Sequence, residues 1–277
     1  MLRVRKADGR LEEFDKRKVV RTCLKLRVSR REAERIAEEV EREIYDGIPT
    51  SRILDLVYEK VRELRPSLRH AHDLRESIAM LRPKPDFEQY IRLVLESIGY
   101  RVEGNKILEG RCVDHEIDGV AVKGDETLLL EVKHHVNHHT YTGMDVFLEV
   151  WASLQDLVEG FRLGLHGYNF TNALIACNTK ISDHAERYAR CKGLKYMGWR
   201  YPKALSLEEI VEKNQLYPIT MLRGVESHVL ERLGDLGIVT LRQLLEMSSE
   251  ELRELPIDSE TLRELVAKAE SVLEKGR

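Results

Sequence analysis

Two short apolar runs joined by a tight turn constrain the fold of this chain more than any other stretch. Residues 116–133 read EIDGVAVKGDETLLLEVK. Apolar runs of this length around a glycine turn are typical of two antiparallel strands. Three charged residues, Asp118, Glu131 and Lys133, stand where buried strands normally carry hydrophobic side chains. These groups need partners, because burying an unpaired charge costs several kcal/mol.

The segments around this hairpin alternate between helix and strand patterns. Residues 86–99 and 144–161 have apolar side chains at helical spacing, residues 172–177 form a continuous apolar run, and a further helix pattern ends at Gly193. Helices mixed with strands predict an α/β layer domain, here over residues 84–200.

The rest of the chain predicts separate domains, since 277 residues exceed the usual size of one core. Residues 1–83 predict a small α+β domain that ends near two closely spaced prolines. Residues 201–221 predict a linker helix, and residues 222–277 predict an all-α domain of short helices. The predicted fold class is therefore multidomain, α+β and α/β, with a helical C-terminal domain.

Composition limits the classes of partner. The net charge is −3, so contact with DNA would need a local basic patch. The 4 cysteines are far apart and follow no signal peptide, which favours reduced thiols and a cytoplasmic location. We expect no membrane association, because no apolar run approaches the roughly 18 residues that a spanning helix needs.

The charged residues of the hairpin favour metal-dependent chemistry on phosphates. Strand residues two apart share a face, so Glu131 and Lys133 project together, and antiparallel pairing brings Asp118 near them. Carboxylates supply the hard oxygen ligands that Mg²⁺ or Mn²⁺ takes, and a lysine can stabilise charge on an attacked phosphate. For the Glu-Val-Lys triplet alone, a salt bridge on an exposed strand face is the alternative.

This pattern resembles the PD-(D/E)xK nuclease motif, with an acidic residue on one strand and acid-x-Lys on the next. The stretch NALIACNTKISDHAERYARCKGLKYMGW also resembles the strand and helix that follow the site in Mrr-type restriction endonucleases. The resemblance covers residues 84–200 and implies a restriction-endonuclease-like core. One departure is that Gly119 follows Asp118, where the motif name places a proline before the acidic residue.

The resemblance assigns a role to each matching residue. It implies that Asp118 and Glu131 bind Mg²⁺ or Mn²⁺, together with the carbonyl of Val132. It implies that Lys133 is catalytic, and that Glu88 is an auxiliary acidic group of the site.

The N-terminal stretch VRKADGRLEEFDKRKVV is similar to the opening of ATP-cone domains. The matching residues are Lys6, Asp8, Gly9 and Lys18, and the resemblance implies that they bind ATP or dATP, with the two lysines at the phosphates. Ala7 stands where the family has arginine. The alternative is a domain that only contacts DNA or a partner.

The last segment resembles a tandem helix-hairpin-helix unit, in which hairpin amides bind DNA phosphates. Gly224 supplies one hairpin glycine, whereas Ile257-Asp258 occupies the second hairpin. A protein-interaction role is the alternative. The histidines in HHVNHH, residues 134–139, lack the spacing of a structural zinc site, and we expect solvated loop side chains.

Together these patterns predict a Mg²⁺-dependent DNA endonuclease regulated by nucleotide at its N-terminal domain. The alternative is a noncatalytic, nucleotide-responsive DNA-binding regulator, which would need no metal site. The expected partners are DNA, a nucleotide effector and a second copy of the chain in a homodimer.

Overall fold

The computed structural model describes residues 2–6, 9–25, 28–64 and 72–273. The chain divides into two compact units. The first comprises Met1–Ala71 and Ser271–Arg277, and the second comprises His72–Glu270.

The first unit packs three helices on a small sheet. Its strands are β1 (Arg3–Arg5), β2 (Leu11–Glu13) and β3 (Ile48–Pro49), and its helices are α1 (Lys16–Lys25), α2 (Arg30–Glu43) and α3 (Thr50–Leu64). The order is β2-β1-β3, with β1 antiparallel to β2 and parallel to β3. Ser29 and Glu32 form a capping box that starts α2, as the Ser-x-x-Glu spacing predicts. Cys23, Ile36 and Val57 lie in the core.

A five-stranded mixed sheet forms the centre of the second unit, in the order β10-β8-β6-β5-β4. Its strands are β4 (Arg101–Glu109), β5 (Asp114–Lys123), β6 (Glu126–Lys133), β8 (Asn172–Cys177) and β10 (Lys195–Met197). The first three pair antiparallel, whereas β6, β8 and β10 run parallel. Strands β7 (Tyr141–Thr142) and β9 (Lys180–Ile181) form a separate parallel pair. The predicted hairpin of β5 and β6 is thus present, with β8 and β10 on one side of it and β4 on the other.

Helices α5 (Glu88–Ser97), α6 (Met144–Arg162) and α7 (Asp183–Lys192) pack on this sheet and bury its apolar side chains. Helix α4 (Leu74–Ala79) and a helical turn (Pro83–Phe87) precede them. The Ser182 hydroxyl accepts a hydrogen bond from the Ala185 amide at the start of α7, and Gly193 ends that helix with φ of 72°. A positive φ favours glycine, which explains the predicted end.

Four short α-helices and one longer one follow the sheet in the described residues: α8 (Leu207–Asn214), α9 (Ser227–Asp235), α10 (Leu241–Glu246), α11 (Ser249–Glu254) and the longer α12 (Ser259–Leu273). Residues of this region bind α5 and the residues before it. The Tyr90 hydroxyl donates to the Leu216 carbonyl at 2.8 Å, and the Gln89 amide donates to the Gly237 carbonyl at 2.9 Å.

The predicted fold class, multidomain with α+β, α/β and all-α parts, is confirmed. Within the described residues, no helix is long and apolar enough to cross a bilayer.

Candidate active site

The candidate site lies where β5 and β6 stop pairing. Their last paired residues are Gly119 and Leu130, whereas β6 and β8 continue to pair up to Lys133 and Cys177. The side chain of Asp118 takes over the pairing role, because its Oδ2 accepts a hydrogen bond from the Val132 amide at 2.7 Å. Asp118 is 7% exposed. The diverging strands therefore hold a buried carboxylate beside the acid-x-Lys triplet.

Gly119 has a steric reason to follow Asp118. A Cβ atom at this position would lie 2.6 Å from the Glu103 carbonyl oxygen on β4. Real Cβ atoms do not approach a backbone oxygen this closely, so any larger residue would push β4 and β5 apart. The glycine after Asp118 thus reflects close packing of the neighbouring strand.

Glu131 and Lys133 project from β6 on the same face, with 2.7 Å between Glu131 Oε1 and Lys133 Nζ. Burial raises the pKa of Glu131 above its ordinary value. The hydrogen bond to Lys133 opposes this shift, and the negative charge of Asp118 adds to it. Burial alone would lower the pKa of Lys133. The hydrogen bond to Glu131, with the charges of Glu131, Glu149 and Asp118, outweighs burial, so this pKa is raised and the lysine is a cation at neutral pH.

Glu88 is the first residue of α5, and its side chain is 4% exposed. Its Oε1 lies 3.0 Å from Lys84 Nζ. The same ammonium lies 3.3 Å from Asp118 Oδ1 and 3.8 Å from Glu116 Oε1. The ion pair with Glu88, foremost, raises the pKa of Lys84. One lysine thus joins Glu88 to Asp118.

The structure therefore brings the predicted residues Asp118, Glu131, Lys133 and Glu88 close to one another. Sequence reasoning missed Lys84, Glu116 and Glu149. Lys84 had a local signal, since it stands four residues before Glu88, the spacing of a helical ion pair. Glu149 had none, because its proximity to β6 comes from the packing of α6.

The donor set fits a hard divalent cation that keeps several waters. Among the described residues, no group of three His, Cys, Asp or Glu side chains is arranged to hold a metal ion. Asp118 and Glu131 supply two carboxylates, and the Val132 carbonyl is the third predicted donor. Mg²⁺ commonly takes one or two carboxylates and completes its shell with water and substrate phosphate. The ammonium beside Asp118 also indicates that this position attracts a cation.

The loop after β6 differs from expectation, because His134, His135 and His138 are half-buried rather than solvated, and of its histidines only His139 is exposed. His134 Nε2 lies 3.2 Å from the Ile78 carbonyl, and His135 Nε2 lies 3.1 Å from the Thr142 hydroxyl. Burial lowers the pKa of both imidazoles. These histidines fix the loop to α4 and β7.

The two lysines of the candidate nucleotide site converge on one carboxylate. Lys6 Nζ and Lys18 Nζ each lie 3.2 Å from Glu12 Oε2. The hydrogen bond to Lys6, followed by that to Lys18, lowers the pKa of Glu12. Gly9 has φ of 85°, as a tight turn between β1 and β2 requires. Asp8 lies outside the described residues.

The two predicted phosphate-binding hairpins of the C-terminal segment differ. Gly224 has φ of 66° and provides the expected turn. At the second hairpin, the Asp258 carboxylate accepts hydrogen bonds from the Glu260 and Thr261 amides, at 3.1 and 2.9 Å. These amides already have an acidic partner, which disfavours an incoming phosphate.

Comparison with known families identifies three regions in the predicted order. The ATP cone domain matches residues 2–76, the restriction endonuclease family matches residues 82–197, and the AF1548-like C-terminal family matches residues 217–273.

Relatives come from the archaeon Archaeoglobus fulgidus. One uncharacterized protein is 37% identical over 180 residues, covering 65% of this chain and 98% of the relative. Another is 62% identical over 42 residues, covering 15% of this chain and 89% of the relative.

A solved structure is also similar. The crystal structure of a protein of unknown function, AF1548, shares 35% identity with a TM-score of 0.59, covering 68% of this chain and 96% of that one. This chain has an ATP cone domain followed by an Mrr-type, restriction-endonuclease-like domain and an AF1548-like C-terminal domain. The chain therefore belongs to the AF1548-like family.

Proposed function

We propose that this protein is a DNA endonuclease that uses Mg²⁺ or Mn²⁺ to hydrolyse phosphodiester bonds. The observation that carries the proposal is the meeting of Asp118, Glu131 and Lys133 where β5 and β6 diverge. Two carboxylates and an ammonium on adjacent strands are costly to bury even in part, and a divalent cation and a phosphate would offset that cost.

Each residue has a chemical role in this proposal. Asp118 and Glu131 hold the metal ion with the Val132 carbonyl. The bound ion would polarise the attacked phosphate and activate a coordinated water. Lys133 is a cation within hydrogen-bond distance of Glu131, so its ammonium can orient the water or stabilise the charge that develops on phosphate.

Glu88 and Asp118 share the Lys84 ammonium, which supports an auxiliary role for Glu88. Because Glu88 starts α5, its position depends on that helix rather than on the sheet. We assign it to orienting water or ligands at the edge of the metal site.

Regulation by ATP or dATP is the second part of the proposal. It is supported by the ATP cone match and by the convergence of Lys6 and Lys18 on one carboxylate, an arrangement that a phosphate group could also occupy.

The test is cleavage of plasmid, single-stranded and branched DNA with Mg²⁺, Mn²⁺ or EDTA. Asp118→Asn and Glu131→Gln should abolish cleavage, whereas Glu109→Gln, an exposed change on β4, should retain it. Cleavage by both site variants at the wild-type rate would refute the proposal. DNA binding that responds to nucleotide, with no cleavage under any metal condition, would instead favour the noncatalytic regulator.

A further inference from the structure

Lys84 occupies a position that the proposed reaction does not explain. Its ammonium lies 3.0 Å from Glu88 and 3.3 Å from Asp118, whose side chains are 4% and 9% exposed. The Lys84 side chain itself is 58% exposed. A largely exposed lysine therefore places its single positive charge against two buried carboxylates.

The site divides its two lysines between its carboxylates. Lys133 pairs with Glu131, and Lys84 pairs with Asp118 and Glu88. Buried carboxylates need a counter-charge when no metal is bound, since neighbouring like charges repel strongly in a poorly solvated site. Lys84 supplies this charge at the proposed ligand Asp118.

A divalent ion at Asp118 would compete with this ammonium. Two cations cannot share one carboxylate oxygen at close range without strong repulsion. Lys84 can leave, because most of its side chain already faces solvent. Pro83 and Pro85 flank it and restrict the backbone, so the movement would be confined to the side chain.

We propose that Lys84 is an internal counter-ion that the metal displaces from Asp118, and that the displaced ammonium then contacts a DNA phosphate. This inference rests on the proposed metal-dependent nuclease. Metal binding and the release of the Lys84 ammonium would then occur together. The site would therefore attract DNA most strongly once the metal ion is bound.

The first test measures Mn²⁺ binding to the full-length protein by calorimetry, without DNA. Lys84→Met keeps an unbranched side chain of nearly the same length and removes its charge. It should bind Mn²⁺ about tenfold more tightly than wild type, because no ammonium has to be displaced. The matched control is Lys203→Met, an exposed lysine outside the site, which should bind as wild type does.

The possible results separate this inference from the proposed function. Equal or weaker Mn²⁺ binding by Lys84→Met, when wild type binds, would overturn the counter-ion role and leave the nuclease proposal standing. If wild type, Lys84→Met and Lys203→Met all fail to bind Mn²⁺, both the counter-ion role and the metal-dependent nuclease proposal would be overturned.

The second test measures DNA affinity in EDTA and in Ca²⁺, with cleavage checked in both. Lys84→Met should match wild type in EDTA, where the wild-type lysine is held by the carboxylates. In Ca²⁺ it should bind several-fold more weakly than wild type. An equal loss in EDTA and Ca²⁺, or no loss in either, would overturn the coupling between metal entry and phosphate contact.

Discussion

The Asp118 carboxylate on β5 accepts a hydrogen bond from the Val132 amide on β6, with 2.7 Å between Oδ2 and N. A side chain thus continues a pairing that the two backbones have ended. Asp118 is both a structural element of the sheet and the proposed metal ligand, and two substitutions can separate these roles.

Asp118→Ala should abolish cleavage and also lower the free energy of unfolding. Relief of carboxylate repulsion alone would stabilise the protein, but the buried Val132 amide would lose its acceptor, at a cost of about 1–3 kcal/mol. Asp118→Asn keeps an acceptor oxygen, so it should abolish cleavage with a smaller loss. Urea denaturation and a cleavage assay measure the two effects. Equal stability of the two variants would contradict the structural role.

Lys133→Ala should lower the cleavage rate of bound DNA about a hundredfold or more, with little change in DNA affinity. A lysine that stabilises developing charge contributes chiefly in the transition state. Single-turnover kinetics with saturating protein measure the rate, and filter binding in Ca²⁺ measures the affinity. A loss chiefly in affinity, with the rate preserved, would make Lys133 a phosphate anchor.

Glu12→Gln should tighten the binding of ATP or dATP, because the Glu12 carboxylate competes with phosphate for Lys6 and Lys18. A charged hydrogen bond contributes about 1.5–3 kcal/mol, so a gain of about tenfold is expected. Calorimetry on the full-length protein measures it. The paired variant Lys6→Ala with Lys18→Ala should remove binding. If none of these substitutions alters the affinity for ATP or dATP, this surface is not the nucleotide site.

The stabilising effect of Asp156 should disappear in acid. The hydrogen bond to His115, foremost, with those from Cys112 and Val113, holds the pKa of Asp156 at about 2. A carboxyl whose pKa is lowered in the folded state stabilises that state at pH values above its ordinary pKa. The stabilisation is lost as the pH falls through the lowered pKa. The difference in unfolding midpoint between wild type and Asp156→Asn should therefore shrink from about pH 5 towards pH 2. A difference that is constant with pH would contradict this assignment.

Gly234→Ala should destabilise the second unit by about 1–3 kcal/mol. A Cβ at this position would lie 2.4 Å from Asp86 Oδ1 and 2.7 Å from Arg82 Nη2, which are themselves joined by an ion pair. The added methyl group must move that pair. The control is Gly167→Ala, where a Cβ would meet no atom within 4 Å. Thermal unfolding compares the two, and equal midpoints would show that the ion pair moves freely.

The local features of the fold could be predicted because their signals are short-range. The hairpin, the caps at Ser29 and Ser182 and the turn at Gly193 each depend on a few neighbouring residues. Strand β10 could not be found, since three residues carry too little pattern and their pairing with β8 is a long-range contact.

The sequence predicted the site residues that lie within one motif, but not the contacts between residues that are distant in the chain. Asp118, Glu131 and Lys133 lie in one motif, whereas Lys84 stands in a proline-rich stretch that reads as a boundary. The burial of His134 depends on Ile78, which is 56 residues away. Homodimer formation, the cytoplasmic location and the boundaries at residues 83, 200 and 221 stay predictions.

The hydrogen bonds from α5 to the C-terminal region have a consequence for the smallest working form of the protein. Tyr90 lies two residues after Glu88 on α5. Its buried hydroxyl donates a hydrogen bond to the Leu216 carbonyl. A chain cut after residue 197 would keep every strand of the sheet but leave that hydroxyl without its acceptor. The C-terminal region therefore helps to hold the helix that carries Glu88, and we expect a core truncated after residue 197 to let that helix shift away from the sheet.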